Sequence, residues 1–447
     1  MIARRRLVFV RLLAALSLMG PWWGAPADAE DRKPNIIIIL ADDLGHADVG
    51  FNGCGDIKTP ALDAIAIGGA RCTQAYACHP VGGPSRAGIL TGVYPQKFGF
   101  EYNPKFDRSN ARYGLPSDQK TLADLLKSGG YGTAAFGKWH LGAAPELQPG
   151  RRGFDAFYGF LGATHHFFKF DGPPDDELTS PLEGNVEPVK AGPLLGKLTQ
   201  ATTRFIRQNA QRPFFIYLAY NVPRRPFQPR KEDKEAMAHI ADGARRDYAA
   251  MIRGMDWSVG QVLDKLRELG LERDTLIFFT GDNGAPGNPS SSGASNAPLS
   301  GGKGELREGG IRVPFAARWP AKIPAGVTYQ YPVSCLDIFA TAVAAAGVAL
   351  PQGAHLDGVD LLPHLSGKRS DPPHEVLYWR VGGGKGYAVR AGGYKLLRPA
   401  GAKAAMIFDV QSDPGEAAEL FDDQRLKALH AVYEEWASHL ANPTWEP

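Results

Sequence analysis

Two short, uninterrupted apolar runs constrain the fold of this chain more than any other feature. One is NIIIIL at residues 35–40, and the other is TLIFF at residues 275–279. A strand that is apolar at every position is buried on both faces, which is typical of a parallel sheet covered by helices. A chain of 447 residues with 44% hydrophobic content is long enough to build such a core.

Helix-like segments alternate with these strands. Residues 117–127 (SDQKTLADLLK) are predicted to form a helix that begins at Ser117 or Thr121. A second helix presents one apolar face from Val259 to Leu269 and ends at Gly270, directly before the TLIFF strand. This alternation predicts an α/β fold with a doubly wound, mostly parallel sheet flanked by helices.

The first 29 residues differ in composition from the rest of the chain. Four arginines precede an apolar run from Leu12 to Met19, and small residues follow, which predicts a cleaved secretory signal peptide. The run is too short for a membrane anchor, which needs roughly 20 residues. We therefore expect an exported protein, periplasmic or secreted, with no membrane attachment after cleavage.

The body of the chain is predicted to have two parts. Residues 30–367 form the α/β domain, and residues 368–447 form a small C-terminal subdomain that begins with the linker KRSDPPH. In the subdomain, EVLYW and YAVRAGGYKLL are predicted antiparallel strands with a Gly-Gly turn, and a helix spans about residues 425–440.

The net charge and the cysteine spacing give no support to a nucleic-acid partner or to a zinc site. The formal net charge is +3, and cleavage after Ala29 removes four arginines and Asp28, a net of +3, so the mature chain is close to neutral. A neutral chain gives no reason to expect a nucleic-acid partner. The four cysteines lack the CxxC spacing of zinc sites, although one or two disulfides are possible after export. Nothing in the sequence sets an oligomeric state.

Oxygen-bearing side chains follow both apolar strands. Asp42 and Asp43 come after NIIIIL, and Asp282 and Asn283 come after TLIFFTG. Ligands of open α/β sheets gather at the carboxyl ends of strands, so these four side chains are expected to converge. A hard oxygen set without cysteine favours Ca²⁺, with Mg²⁺ possible. Taken alone, either pair is more often an ordinary loop or capping pair than a metal site.

Several further motifs, in this order along the chain, carry a family resemblance. They are PNIIIILADDLG, TPALDAIA, PSRAGILTGVYP, GKWHLG, TGDNG, GGKGELREGGIRVPF, LDGVDLLP and FDVQSDPGE. With these motifs the chain resembles the sulfatases of the alkaline phosphatase superfamily, from Pro34 nearly to the C-terminus. In that family the cysteine of a Cys-x-Pro-Ser-Arg motif becomes formylglycine, whose hydrate attacks the sulfur of a sulfate ester.

The resemblance implies a role for each matching residue. A Ca²⁺ ion is held by Asp42, Asp43, Asp282 and Asn283. Support of the nucleophile falls to Arg86 and Lys138, its orientation to His140, and binding of the sulfate to Lys303. Lysine and arginine donors suit this chemistry, because a sulfate ester gains negative charge on its leaving oxygen during cleavage.

The chain departs from the family pattern at two positions. Four residues before Arg86 the nucleophile position holds Gly82, which has no side chain to oxidise, so formylglycine is not expected. In YLAYNVPRRP, Arg224 stands where the family has a histidine thought to protonate the departing alcohol. Arginine is a poor proton donor but an excellent bidentate partner for sulfate.

Three hypotheses follow from these departures. The leading one is an exported sulfatase-fold protein that binds a sulfated glycan or a sulfated small molecule with little or no turnover. The second is an active sulfuric ester hydrolase with metal-bound hydroxide, Ser85 or Cys78 as nucleophile, and the third is a phosphoester hydrolase or phosphotransferase. In each, the segment from His165 to Gly196 is expected to form loops at the mouth of the site.

Overall fold

The computed structural model describes residues 32–168, 183–186 and 192–446. The predicted signal peptide lies outside these residues, as does much of the segment from His165 to Gly196. Lys33–Pro447 make up one compact unit. Of the helices in the described ranges, none has both the length and the apolar character that crossing a membrane requires.

The strands of the described residues form three sheets. In chain order they are β1 Asn35–Asp42, β2 Ala70–Cys72, β3 Ala75–Tyr76, β4 Gly132–Lys138, β5 Ala156–Phe160, β6 Glu183–Gly184, β7 Phe214–Pro223, β8 Thr275–Gly281, β9 Phe315–Arg318, β10 Val327–Tyr329, β11 Val333–Ser334, β12 Val376–Val381, β13 Gly386–Ala391, β14 Tyr394–Arg398 and β15 Met406–Asp409. The central sheet has the order β10-β2-β9-β8-β1-β7-β4-β5-β6. Strands β8, β1, β7, β4 and β5 are parallel, whereas β9 and β6 pair antiparallel with their neighbours, so the predicted mostly parallel sheet is confirmed.

Strand β1 lies in the middle of this sheet because both of its faces are apolar. Alternate side chains of β1 enter two separate cores, with Ile36 and Ile38 in one and Ile37 and Ile39 in the other. The helices that cover the two faces are α1 Pro60–Ile67, α2 Gly82–Thr91, α3 Leu122–Ser128, α4 Leu194–Gln208, α6 Gly243–Glu268 and α9 Asp337–Ala346. The predicted doubly wound arrangement is therefore confirmed.

The predicted helices are present, with different starting points. Helix α3 begins after Thr121, whose side chain accepts a hydrogen bond from the Asp124 amide in a capping box, so Thr121 is the cap and Ser117 is not. Helix α6 extends far beyond the predicted face, because Asp242 caps it one residue before Gly243. The remaining short helices are α5 Lys231–Ala236, α7 Pro289–Ser292, α8 Glu308–Ile311 and α10 Leu362–Leu365.

The C-terminal part is a four-stranded antiparallel sheet with one helix. Strands β12, β13 and β14 contain the predicted EVLYW and YAVRAGGYKLL, and β15 adds a strand that the sequence pattern did not indicate. Helix α11, Asp423–Ala437, contributes Leu429 and Tyr433 to a small core shared with this sheet. The domain boundary at residue 368 stays a prediction.

Within the linker KRSDPPH, His374 ties the C-terminal part to α9. Its Nε2 lies 2.8 and 2.9 Å from the two carboxylate oxygens of Asp337. Those oxygens also accept the backbone amides of Ser334 and Val359. Burial lowers the pKa of His374, but the charge and hydrogen bond of Asp337 outweigh burial and raise it above 6.5.

This pair predicts a pH-dependent stability. Because the folded-state pKa of His374 is raised, its contribution is fully present below about pH 6.5 and is lost as the pH rises through the folded-state pKa. We expect the melting temperature to fall between pH 6 and pH 8.5 and His374→Gln to reduce that fall. Calorimetry of the two proteins checks this, and parallel pH profiles would contradict it.

Candidate functional site

Four adjacent parallel strands bring the predicted site residues to one edge of the sheet. In the order β8-β1-β7-β4, the strands end at or directly before Asp282, Asp42, Arg224 and Lys138. Strands β1 and β8 are in register up to the pair Ala41 and Gly281, so their acidic side chains leave the sheet side by side. Ligands of open α/β sheets collect at this edge.

The acidic side chains form a compact oxygen cluster. Asp42, Asp43 and Asp282 are buried, and one oxygen of each lies within 4.8 Å of the others. Asn283 joins them, since its Nδ2 donates to Asp43 Oδ1 over 2.9 Å. Burial and the Asp42 carboxylate raise the pKa of Asp282 above its usual range, with Arg86 opposing them, which shows the cost of placing three carboxylates together.

The oxygen atoms of this cluster are suitable ligands for a hard divalent cation. Asp42 Oδ1 and Asn283 Oδ1 are buried, and neither accepts a hydrogen bond from any described residue. A buried acceptor left without a donor is costly unless something electropositive meets it. Carboxylate and amide oxygens in this number suit Ca²⁺ or Mg²⁺ and not a thiolate-preferring metal. The residues that would hold the ion are the four predicted from the sequence: Asp42, Asp43, Asp282 and Asn283.

Each carboxylate also faces a cation. Arg86 contacts Asp282 Oδ2 through Nε at 3.0 Å and Nη2 at 2.8 Å, and Lys138 Nζ lies 2.7 Å from Asp42 Oδ2. Lys303 Nζ lies 2.5 Å from Asp43 Oδ1. Arg86 and Lys138 are fully buried, whereas the Lys303 side chain remains one-fifth exposed. Lys303 is therefore the member of this group that an anion from solvent can reach.

Arg224 adds a further cation at the end of β7. It makes no hydrogen bond to another described side chain, but it acts electrostatically on Asp42 and Lys138. Burial lowers the pKa of Arg224, and the three carboxylates outweigh it and raise the pKa above its usual value. Arg224 and Lys303 both line a cavity of about 360 Å³ that reaches Asp43. Arg225 also lines the cavity, with its guanidinium donating to the Ser291 carbonyl, so three cationic side chains surround the space that an anionic group would enter.

His140 lies two residues beyond β4 and has a left-handed backbone, with φ of 56°. Asp43 has the same type of backbone, with φ of 64°, one residue after β1. Left-handed non-glycine residues are uncommon and mark sharp local turns at functional sites. Burial and the Lys138 charge lower the pKa of His140 well below 6.5, which favours the neutral ring. A neutral ring suits orientation by hydrogen bonding better than attraction of an anion.

The position that the family resemblance assigns to the nucleophile, Gly82, has no reactive atom. Gly82 is the first residue of α2, and a β-carbon there would lie 2.5 Å from Asp282 Oδ2 and 3.4 Å from Asn283 Oδ1. Contacts under about 3 Å to a β-carbon essentially do not occur in real proteins. The carboxylate of Asp282, held by Arg86, thus occupies the place where a side chain at residue 82 would begin.

Neither substitute nucleophile is exposed to this site. The Sγ of Cys78 lies in the core, 3.9 Å from the Ser85 carbonyl oxygen and in contact with Cys335. All four cysteines are free thiols, so the possible disulfides are absent from the described chain. The hydroxyl of Ser85 is also fully buried. Burial raises the pKa of Cys78 well above its usual value, which suppresses the thiolate.

Sequence reasoning missed Tyr217 and Asn103 near this site. Tyr217 lies in the mostly apolar strand β7, and its buried hydroxyl is close to Arg86. Burial raises the pKa of this hydroxyl to about 12. Asn103 accepts the Gly83 amide over 2.9 Å and so holds the first turn of α2. For Tyr217, the sequence signal was a tyrosine inside a strand buried on both faces. Nothing in the sequence around Asn103 indicated its contact with α2.

Comparison with known proteins gives concordant matches. Residues 34–348 match the protein-family model described as Sulfatase, and residues 303–442 match the one described as N-sulphoglucosamine sulphohydrolase, C-terminal. N-acetylgalactosamine-6-sulfatase of Canis lupus familiaris is 35% identical over 408 residues, which cover 86% of this chain and 74% of the relative. Steryl-sulfatase of Homo sapiens is 33% identical over 437 residues, which cover 80% of this chain and 73% of that relative.

A solved structure is also closely similar. Ps i-CgsB in complex with k-i-k-neocarrahexaose matches with a TM-score of 0.84 and 36% identity, over 93% of this chain and 95% of that chain.

Proposed function

This chain belongs to the sulfatase family, and from that premise we propose that it binds a sulfated carbohydrate at a Ca²⁺-dependent site without turning it over. It acts after export, as the arginine-rich and apolar start of the sequence suggests. The active family members hydrolyse sulfate esters, and this chain has side chains at the positions that the resemblance assigns to metal binding and sulfate binding.

The observation that carries this proposal is the close approach of Asp282 to Gly82. A side chain at residue 82 would begin 2.5 Å from a carboxylate oxygen that Arg86 holds in place. The absence of a side chain at Gly82, together with the position of the Asp282 carboxylate, supports a site without the family's nucleophile. Arg224 stands where the family has the histidine that protonates the departing alcohol. A guanidinium does not release its proton at neutral pH, so Arg224 is not suited to this protonation step.

Binding is supported by the cavity beside this cluster. Lys303 and Arg224 line it, and both can donate hydrogen bonds to the oxygens of a sulfate group. A divalent cation, when bound, supplies additional positive charge for the same group. A carbohydrate ligand is favoured because Ps i-CgsB, at 36% identity, was solved with a neocarrahexaose. The cavity volume of about 360 Å³ is ordinary for a small-molecule site.

Calorimetric titration in Ca²⁺ buffer tests the proposal, with inorganic sulfate, 4-nitrophenyl sulfate, 4-nitrophenyl phosphate and a carrageenan oligosaccharide as probes. Lys303→Ala and Arg224→Ala are each expected to weaken sulfate binding about 10- to 100-fold, since each loses charge-assisted hydrogen bonds. The matched control is Arg273→Ala, an exposed arginine two residues before β8 and so at the opposite edge of the sheet. It is expected to bind as the parent does.

The same samples decide between the competing functions. Release of 4-nitrophenol from the sulfate by the parent, abolished in Asp282→Ala, would overturn the proposal in favour of an active hydrolase. Cleavage of the phosphate, or binding of phosphate in preference to sulfate, would favour a phosphoester function. Binding of the sulfated probes with no release of 4-nitrophenol supports the proposal.

A further inference from the structure

The loop that carries Lys303, residues 300–309, is braced by backbone contacts. Its ends meet where the Gly309 amide donates to the Ser300 carbonyl over 2.7 Å. The Lys303 amide donates to Ala285 O over 2.9 Å, and the Gly304 amide donates to Pro80 O over 2.9 Å. The Lys303 loop therefore connects the segment after β8 with the segment before Gly82.

One side chain from the C-terminal part holds both ends of this loop. Glu416 Oε2 accepts a hydrogen bond from Ser300 Oγ over 2.9 Å and another from the Glu308 amide over 2.8 Å. Glu416 is buried and has a left-handed backbone, with φ of 53°. A non-glycine residue tolerates that backbone only where its surroundings enforce it. The Glu416 carboxylate is therefore a fixed point for the loop.

Lys395 of β14 holds this carboxylate in place. Its ammonium group is fully buried and lies 3.0 Å from Glu308 Oε1 and 3.0 Å from Glu416 Oε1. Glu308 begins α8 and also accepts a hydrogen bond from Tyr76 over 2.7 Å. Burial alone would raise the pKa of Glu308, but Lys395 and Arg312 lower it to about 2. Without Lys395, two buried carboxylates would repel each other at the base of the loop.

We propose that Lys395 and Glu416 are positioning residues for the anion site, and that the C-terminal sheet acts on the site through them. The inference rests on the proposed function, in which Lys303 binds the sulfate group. Buried charge triads give little net stability compared with apolar side chains of similar volume, and some instead define one geometry. Here the geometry so defined is that of the Lys303 loop, because Glu416 bonds to both of its ends.

The test compares Lys395→Met with a control that destabilises the same sheet elsewhere. Leu396→Ala serves, since Leu396 is fully buried on the opposite face of β14, in the core shared with α11. The two readouts are the dissociation constant for inorganic sulfate and hydrogen exchange at the Lys303 and Gly304 amides. Exchange at the β1 amides reports global opening in the same samples.

Lys395→Met is expected to weaken sulfate binding about tenfold or more, because a displaced Lys303 loses its contact with the anion. It is also expected to speed exchange at Lys303 and Gly304 without matching acceleration in β1. Leu396→Ala is expected to keep the parent's sulfate affinity, and to speed exchange, if at all, equally in both places. Equal behaviour of the two variants would overturn the inference.

Glu416→Gln provides a second variant that preserves shape. Its amide oxygen can still accept from Ser300, but the attraction to Lys395 is reduced, so a smaller loss in the same direction is expected. If Lys395→Met does not fold, Glu416→Gln decides, and parent-like affinity and exchange in it would refute the inference. If the parent binds no sulfate, the proposed function fails, while exchange at the loop still shows whether Lys395 positions it.

Discussion

Gly82→Cys combined with Arg224→His is expected to turn this chain into an active sulfatase, with the Asp282 carboxylate moving away from the added β-carbon, which would otherwise lie 2.5 Å from Asp282 Oδ2. The first change restores Cys-x-Pro-Ser-Arg as CGPSR, which a co-expressed formylglycine-generating enzyme can convert. The second restores a side chain that can donate a proton to the leaving alcohol. The parent is expected to show no turnover, since Gly82 has no atom that can attack sulfur.

The effects of the two substitutions can be measured separately by using substrates with different leaving groups. Nitrophenolate departs without protonation, whereas a sugar hydroxyl needs a proton from the protein. Gly82→Cys alone is therefore expected to hydrolyse 4-nitrophenyl sulfate but to remain roughly 10²- to 10⁴-fold slower than the double variant on a carbohydrate sulfate, which is the usual contribution of a general acid. Initial rates on both substrates measure this difference.

Gly82→Ala is the control for the space at residue 82. It adds only the β-carbon that would lie 2.5 Å from Asp282 Oδ2. We expect no turnover and a loss of about 1–3 kcal/mol in the free energy of unfolding, as for other overpacked interiors. Turnover by the parent equal to that of the double variant would show that the chain uses another nucleophile.

The convergence of the acidic side chains at one edge of the sheet was predictable because it follows from local sequence and strand direction. An apolar run such as NIIIIL must lie inside a parallel sheet, so Asp42 and Asp282 had to leave the sheet at one edge. The capping role of Thr121 was also readable, because Asp124 stands three residues later. These inferences need only periodicity and adjacency.

Other features depend on contacts between distant segments and were not predictable. The pairing of Lys395 with Glu308 and Glu416 joins positions that no local pattern relates. The occupation of the Gly82 position by Asp282 spans 200 residues and depends on the Arg86 contact. Strand β15 is short and its alternation is weak, so only pairing with β14 defines it.

We expect the ion pair between Arg86 and Asp282 to affect the free energy of unfolding more than a surface ion pair does. Both side chains are fully buried. Removing Arg86 leaves the Asp282 charge unpaired in the interior, so Arg86→Met should lower the free energy of unfolding by about 3–5 kcal/mol in chelator, whereas Asp282→Asn also relieves the repulsion from Asp42 and should lower it less. Urea denaturation measures this. The surface pair Arg267 and Asp264, with both side chains more than 60% exposed, is the control, and Arg267→Met should cost less than about 1 kcal/mol.

Added Ca²⁺ should then separate the two variants, because only one of them loses a predicted ligand. A ligand that binds the folded state stabilises it by about 2.7 kcal/mol at a hundredfold excess over its dissociation constant. Arg86→Met keeps all four oxygen ligands and should regain stability with Ca²⁺, since the cation replaces the lost guanidinium as a partner of Asp282. Asp282→Asn should regain little. If both variants respond equally to Ca²⁺, the ion does not bind through Asp282. In that case Arg86, Lys138 and Lys303 alone neutralise the three carboxylates.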